Sequence, residues 1–120
     1  MPPYKRKEPH AACPFCEAKI PRPAPRESVT TDDKFDGGSC ACGAIFILDV
    51  TGKAGGVALL ETLATLADGD LDAGMAMAAD TDYKLERVPY NPRTHSLDPK
   101  RGQRIRFAQP LLYFAKRLTA

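Results

Sequence analysis

Cys13-Pro14-Phe15-Cys16 and Cys40-Ala41-Cys42-Gly43 hold every cysteine of this 120-residue chain, with 23 residues between Cys16 and Cys40. Two short loops that each present two sulfurs can close a tetrahedral site around one divalent ion, at metal–sulfur distances of about 2.3 Å. A site closed by four protein ligands has no open position for a substrate, so the motif points to an ion that holds structure. The competing reading, a pair of disulfides, belongs to exported frameworks. Met1 to Ala12 is polar, basic and proline-rich, without an export signal, and the longest strongly apolar run, Ala44 to Leu48, is far too short for a bilayer core of about 30 Å. Reduced thiols in a cytoplasmic chain that does not enter a membrane are therefore expected.

The residues around the cysteines suit tight turns whose amides face the sulfurs. Pro14 fixes one dihedral of the first turn, and Gly43 frees the backbone after the second. Over roughly Ala12 to Val50 the chain resembles the zinc-ribbon and rubredoxin-like proteins, whose knuckles read Cys-Pro-x-Cys-Gly. The resemblance implies one structural Zn2+ on Cys13, Cys16, Cys40 and Cys42. Two positions depart from the pattern: Glu17 stands where the first knuckle has glycine, and the second knuckle is a C-x-C. A shortened knuckle lacks the symmetric hydrogen bonding of a rubredoxin iron site, so zinc is expected over iron and electron transfer is the least favoured role. His10, three residues before Cys13, is the one other residue placed to serve as a ligand.

Charge divides the chain into thirds. Met1 to Arg26 carries +4, Glu27 to Asp82 carries −9 and Tyr83 to Ala120 carries +7, although the whole has a formal charge of only +2. With 43% hydrophobic residues and no tryptophan, the composition is that of one modest soluble domain whose core a metal would supplement. The expected organisation is a flexible basic arm over 1–11 and a single domain over 12–120. That domain would have a helical insertion near 56–79 and a basic C-terminal segment over 83–120.

The fold class expected is α+β: a zinc ribbon with short antiparallel strands, one or two packed helices and a basic C-terminal strand. Pro21 to Arg26 reads as a stiff polyproline spacer. Ser28 to Asp33 reads as a short strand ending before a turn at Asp36-Gly37-Gly38. Ala44 to Val50 is continuously apolar, the pattern of a strand covered on both faces. Val57 to Ala67 places Leu59, Leu60, Leu63, Leu66 and Ala67 on one helical face, with Glu61, Thr62 and Thr65 elsewhere. After Asp68-Gly69-Asp70 a second short helix runs to Ala79, with Asp70 or Asp72 at its start. Leu111 to Leu118 is read as a strand because of its adjacent aromatics Tyr113 and Phe114.

Two partial motifs fail on their fixed positions. The alternation of Asp68, Asp70 and Asp72 lacks the glycine and the glutamate of a calcium loop, where Ala73 and Ala79 stand instead. Gly52-Lys53 lacks the first glycine and the hydroxyl residue of a phosphate-binding loop, replaced by Ile47 and Ala54. His10 and His95 sit among prolines and polar residues with no nucleophile motif nearby, so no enzyme activity and no small-molecule substrate are expected. The expected function is a binding module. One partner class is DNA or RNA, held by Lys5, Arg6, Lys7, Arg93, Lys100, Arg101, Arg104, Arg106, Lys116 and Arg117. Arg104 and Arg106 would point to one side of a strand while Ile105 and Phe107 point to the other. The alternative is a protein partner that meets the acidic helical middle, where Met75 and Met77 are candidates for an exposed apolar face.

Overall fold

A computed structural model describes residues 11–28, 34–50, 55–97 and 110–118. Within them lie strands β1 (Ala24–Glu27), β2 (Lys34–Ser39) and β3 (Ile45–Asp49), then helices α1 (Gly55–Leu66) and α2 (Leu71–Ala76). Strands β4 (Tyr83–Asn91), β5 (Ser96–Leu97) and β6 (Leu111–Arg117) follow. The strands form one sheet in the order β1-β2-β3-β6-β4-β5, with every neighbouring pair antiparallel. The class is α+β, as the sequence implied. The basic arm with His10, the strand expected over 28–33, the glycine-rich loop at 51–54 and the basic run from Lys100 to Phe107 lie wholly or mostly outside the described residues. No helix among the described residues is long and apolar enough to cross a membrane.

Strand alternation gives the sheet two covered faces. On one, α1 packs Ala58, Leu63 and Leu66 over Ile47, Leu111, Tyr113, Ala115 and Tyr83. On the other, the N-terminal segment packs Ala11, Cys13 and Ile20 over Phe46, Leu48, Val88, Tyr90, Leu112 and Phe114. Strands β3 and β6 are buried on both sides, which is why their sequences are apolar without alternation. Their cross-strand pair Phe46 and Phe114 meets in a tilted ring contact at 5.7 Å.

Three expectations are corrected. Asp36-Gly37-Gly38 is the interior of β2, not a turn. The glycines are there for close approach: a Cβ on Gly38 would stand 2.6 Å from Cζ of Phe46, and one on Gly37 would collide with the Phe46 carbonyl oxygen. Pro21 to Arg26 is not a spacer throughout, because Ala24 to Glu27 pairs with β2 as an edge strand. Pro25 has no amide to give, so the ladder must run through Ala24 and Arg26. The outward positions, Pro23 and Pro25, lack donors and leave an edge poorly suited to strand addition. The buried face of α1 also differs, since Glu61 and Thr62 are fully buried while Leu59 and Leu60 are only half-buried. Thr62 returns its hydroxyl to the Ala58 carbonyl at 2.7 Å. Glu61 is met by Arg26 from β1.

Helix α2 is shorter than expected but starts where expected: Asp70 is its N-cap and accepts from the Ala73 amide at 3.1 Å. It crosses α1 at Gly74, where a Cβ would lie 2.6 Å from the Leu63 carbonyl oxygen. The helices meet backbone to backbone at that point.

Candidate metal centre

The first knuckle closes through the Glu17 amide to the Cys13 carbonyl at 2.7 Å, and the second through the Gly43 amide to the Cys40 carbonyl at 2.9 Å. Both need a left-handed residue after the last cysteine, and Glu17 (φ 67°) and Gly43 (φ 100°) supply it. The Cys13 amide donates to the Ala18 carbonyl and the Cys40 amide to the Ala44 carbonyl, both at 2.8 Å, which folds each loop back on itself. Glycine avoids the strain that an L side chain has in this region, a cost of about 1–2 kcal/mol. Glycine's greater unfolded-state entropy offsets about 0.5–1 kcal/mol of that. Glu17→Gly should therefore stabilise the metal-loaded protein by roughly 0.5 kcal/mol, read as a higher denaturation midpoint. A lower midpoint would mean that the Glu17 side chain has a compensating role.

These turns bring Cys13, Cys16, Cys40 and Cys42 together, with their sulfurs all within 4.8 Å of one another. All four are free thiols. Across the two knuckles Cys13 Sγ lies 3.7 Å from Cys42 Sγ, and Cys16 Sγ lies 3.5 Å from Cys40 Sγ. Four sulfurs about 2.3 Å from a central ion would be separated by about 3.8 Å, so the spacing fits a tetrahedral tetrathiolate site. Amides face the sulfurs unevenly: Phe15 and Cys16 donate to Cys13, Cys42 to Cys40, and Ala44 to Cys42. The site is also uneven in exposure, since Cys13 is buried in the core under the sheet whereas Cys16 is exposed.

In the metal-free protein, burial pushes the Cys13 thiol up to about 12, against the pull of its amide donors. At Cys40 the Cys42 amide pulls down, but burial and the Cys16 and Cys42 sulfurs outweigh it, and the thiol is raised. Burial raises Cys42 too, yet the Ala44 amide and the other three thiols as donors bring it down to about 7. Only a cation makes four adjacent thiolates tolerable. Near pH 8, Cys13 and Cys40 still hold their protons, so metal uptake must release at least those two. Apparent affinity should then rise at least about a hundredfold per pH unit, and more steeply below pH 7, where Cys42 is also protonated. Competition titrations at several pH values test this, and a flat profile contradicts it.

The knuckle is tied to the far end of the sheet by a residue that sequence reasoning did not single out for this role. His95, in the β4–β5 turn, receives the Ala11 amide on its carbonyl at 3.2 Å. Its Nε2 lies 2.8 Å from the Ile20 carbonyl, which can only accept, so Nε2 carries the proton. Nδ1 is then left to accept from the Tyr90 hydroxyl at 2.7 Å, and burial raises the pKa of that phenol, keeping it a donor. Arg22 adds a bond to the Pro92 carbonyl at 2.7 Å. Nothing in the spacing of a lone histidine could have indicated this fastening.

Of the ten cations expected to contact nucleic acid, Arg93, Lys116 and Arg117 lie among the described residues. Lys116 and Arg117 end β6 opposite Lys84 and Tyr83. Arg93 sits beyond the other end of β4, whose far end is about 23–26 Å along the strand from them, so the three do not converge. Comparison with protein-family models, curated proteins and solved structures gave no match, so the likeness to zinc ribbons rests on the two knuckles alone.

Proposed function

We propose that the chain is a non-catalytic zinc module, in which one zinc ion clamps the N-terminal ribbon onto the sheet and leaves the surface free to bind a partner. The observation that carries this is the closed tetrathiolate spacing of Cys13, Cys16, Cys40 and Cys42. Zinc suits four thiolates in a closed site and needs no particular redox environment. The uneven amide donation to the sulfurs favours it over a rubredoxin-type iron, whose potential depends on those hydrogen bonds. Metal analysis of the purified protein should find one zinc per chain; a coloured, redox-active iron protein overturns the assignment.

For the partner we propose nucleic acid, on the strength of the +7 charge of Tyr83 to Ala120, which is still +5 without Lys116 and Arg117. Affinity for a single-stranded oligonucleotide should fall at least about tenfold between 50 and 200 mM salt, and a salt-independent affinity removes the phosphate contacts. One observation favours a protein partner instead: Met75 is 58% exposed on α2, the helix that Asp70 caps and whose first turn carries Asp72. A Met75→Lys change that abolishes recovery of a protein complex and leaves oligonucleotide binding intact would select that reading.

A further inference from the structure

A cleft of about 380 Å3 opens at one end of the sheet, between Cys42 and Gly43 of the second knuckle, Leu66 at the end of α1 with Asp68 in the turn after it, and the end of β6 at Lys116 and Arg117. Its two cations are oddly placed for a strand end. Lys116 stands directly opposite Lys84 on the β4–β6 ladder, an arrangement of like charges that destabilises a sheet. Asp80 binds Lys84 at 3.1 Å and relieves that side of the pair. Neither Lys116 nor Arg117 makes an ion pair among the described residues. Among the described residues Arg117 reaches the Leu66 carbonyl, at 3.5 Å, at the negative end of the α1 dipole.

With an ion bound, the metal centre would bring a negative charge to this end of the molecule. Four thiolates around a divalent ion leave a net charge of about −2, and Cys42 presents that charge to the cleft. Asp68 adds another negative charge to the lining. An acidic ligand would thus meet a cleft whose fixed charges already sum to about −1 after both cations are counted, and it would be repelled.

We propose that Lys116 and Arg117 are counter-charges of the thiolate metal centre, stabilising its anionic, metal-loaded form, and are not part of a nucleic-acid surface. The idea rests on the zinc reading above and assigns the two residues a positioning role toward the metal. Arginine and lysine serve equally in it, because what acts is a positive charge lining the same cleft as Cys42, not a fork that grips a particular group.

The test uses the full-length protein with zinc as the probe. Lys116→Gln and Arg117→Gln should each weaken zinc binding about threefold to tenfold at low salt, and the double variant more. Lys116→Arg should retain wild-type affinity, and the deficits should shrink as salt screens the charges. The thermal midpoint at saturating zinc should stay near that of the wild type, which a loss of packing would not allow. A wild type that holds no zinc overturns this inference together with the reading beneath it. A wild type with one zinc, whose affinity is unmoved in the double variant, overturns this inference alone. So does stabilisation of the wild type by inorganic pyrophosphate that the double variant loses, since the cleft would then be an anion site.

Discussion

Stripping the metal with a strong chelator, or replacing Cys13 by serine, is expected to release the N-terminal ribbon from the sheet. Structural zinc contributes about 10–16 kcal/mol in small peptides at neutral pH, as much as the entire net stability of a typical domain, about 5–15 kcal/mol. Here the ion would hold Ala11, Cys13 and Ile20 against Phe46, Tyr90, Leu112 and Phe114, and without it one face of the sheet loses its cover. The four cysteines should not be equivalent. Serine at Cys13 puts a hydroxyl into a core position that is 1% exposed, whereas serine at the exposed Cys16 removes a ligand and little else. Cys13→Ser and Cys40→Ser should both lose ribbon structure, and Cys16→Ser should be the mildest of the ligand changes. Amide dispersion and hydrogen exchange report the outcome. Native-like spectra after metal removal would show that the sheet retains the ribbon unaided, and the clamp reading would fail.

How much of this was legible in the sequence depended on whether a residue's role is local. The knuckles, β3, α1 and β6 announce themselves, because cysteine spacing and apolar runs are near-neighbour signals. Strand β4 does not, for a reason that its pairing exposes. Its first half buries Tyr83 and Leu85 under the helices, and its second half buries Val88 and Tyr90 under the ribbon, on the opposite face. The alternation therefore changes phase midway and cancels in any window that spans the strand. Gly37 and Gly38 point to a turn because glycine punctuates turns far more often than it makes room for a neighbouring strand, and the neighbour, Phe46, is nine and eight residues further on. Glu61 and Thr62 looked like solvent-facing residues on composition alone. Their burial depends on Arg26 and on a carbonyl within the helix itself, and neither partner is visible in the period of α1.

Arg26 and Glu61 give the other large effect expected, and it should be strongly non-additive. Glu61 is fully buried on α1 and accepts from Arg26 Nη1 at 3.1 Å and from the Ser28 hydroxyl at 2.6 Å. Arg26 also reaches Thr65 Oγ1 at 3.4 Å, but its side chain is 27% exposed. Removing one partner of a buried pair costs about 3–5 kcal/mol, and the partial exposure of Arg26 lowers the expectation for Arg26→Met to about 2–4 kcal/mol. Glu61→Leu should cost less, about 1–2 kcal/mol, because the arginine it leaves behind can turn to water. In the double variant no buried charge among the described residues loses its partner, and two apolar side chains fill the space. Its stability should return to within about 1 kcal/mol of the wild type, so the cycle should show a coupling of about 2 kcal/mol or more. Additive losses in urea denaturation would show that the pair is incidental to stability. The consequence would reach beyond α1, since among the described residues these side chains are what tie the edge strand β1 to the helix layer. If coupling is present, Arg26→Met should also raise hydrogen exchange in Ala24 to Glu27 more than in β3, locating the loss at the edge of the sheet.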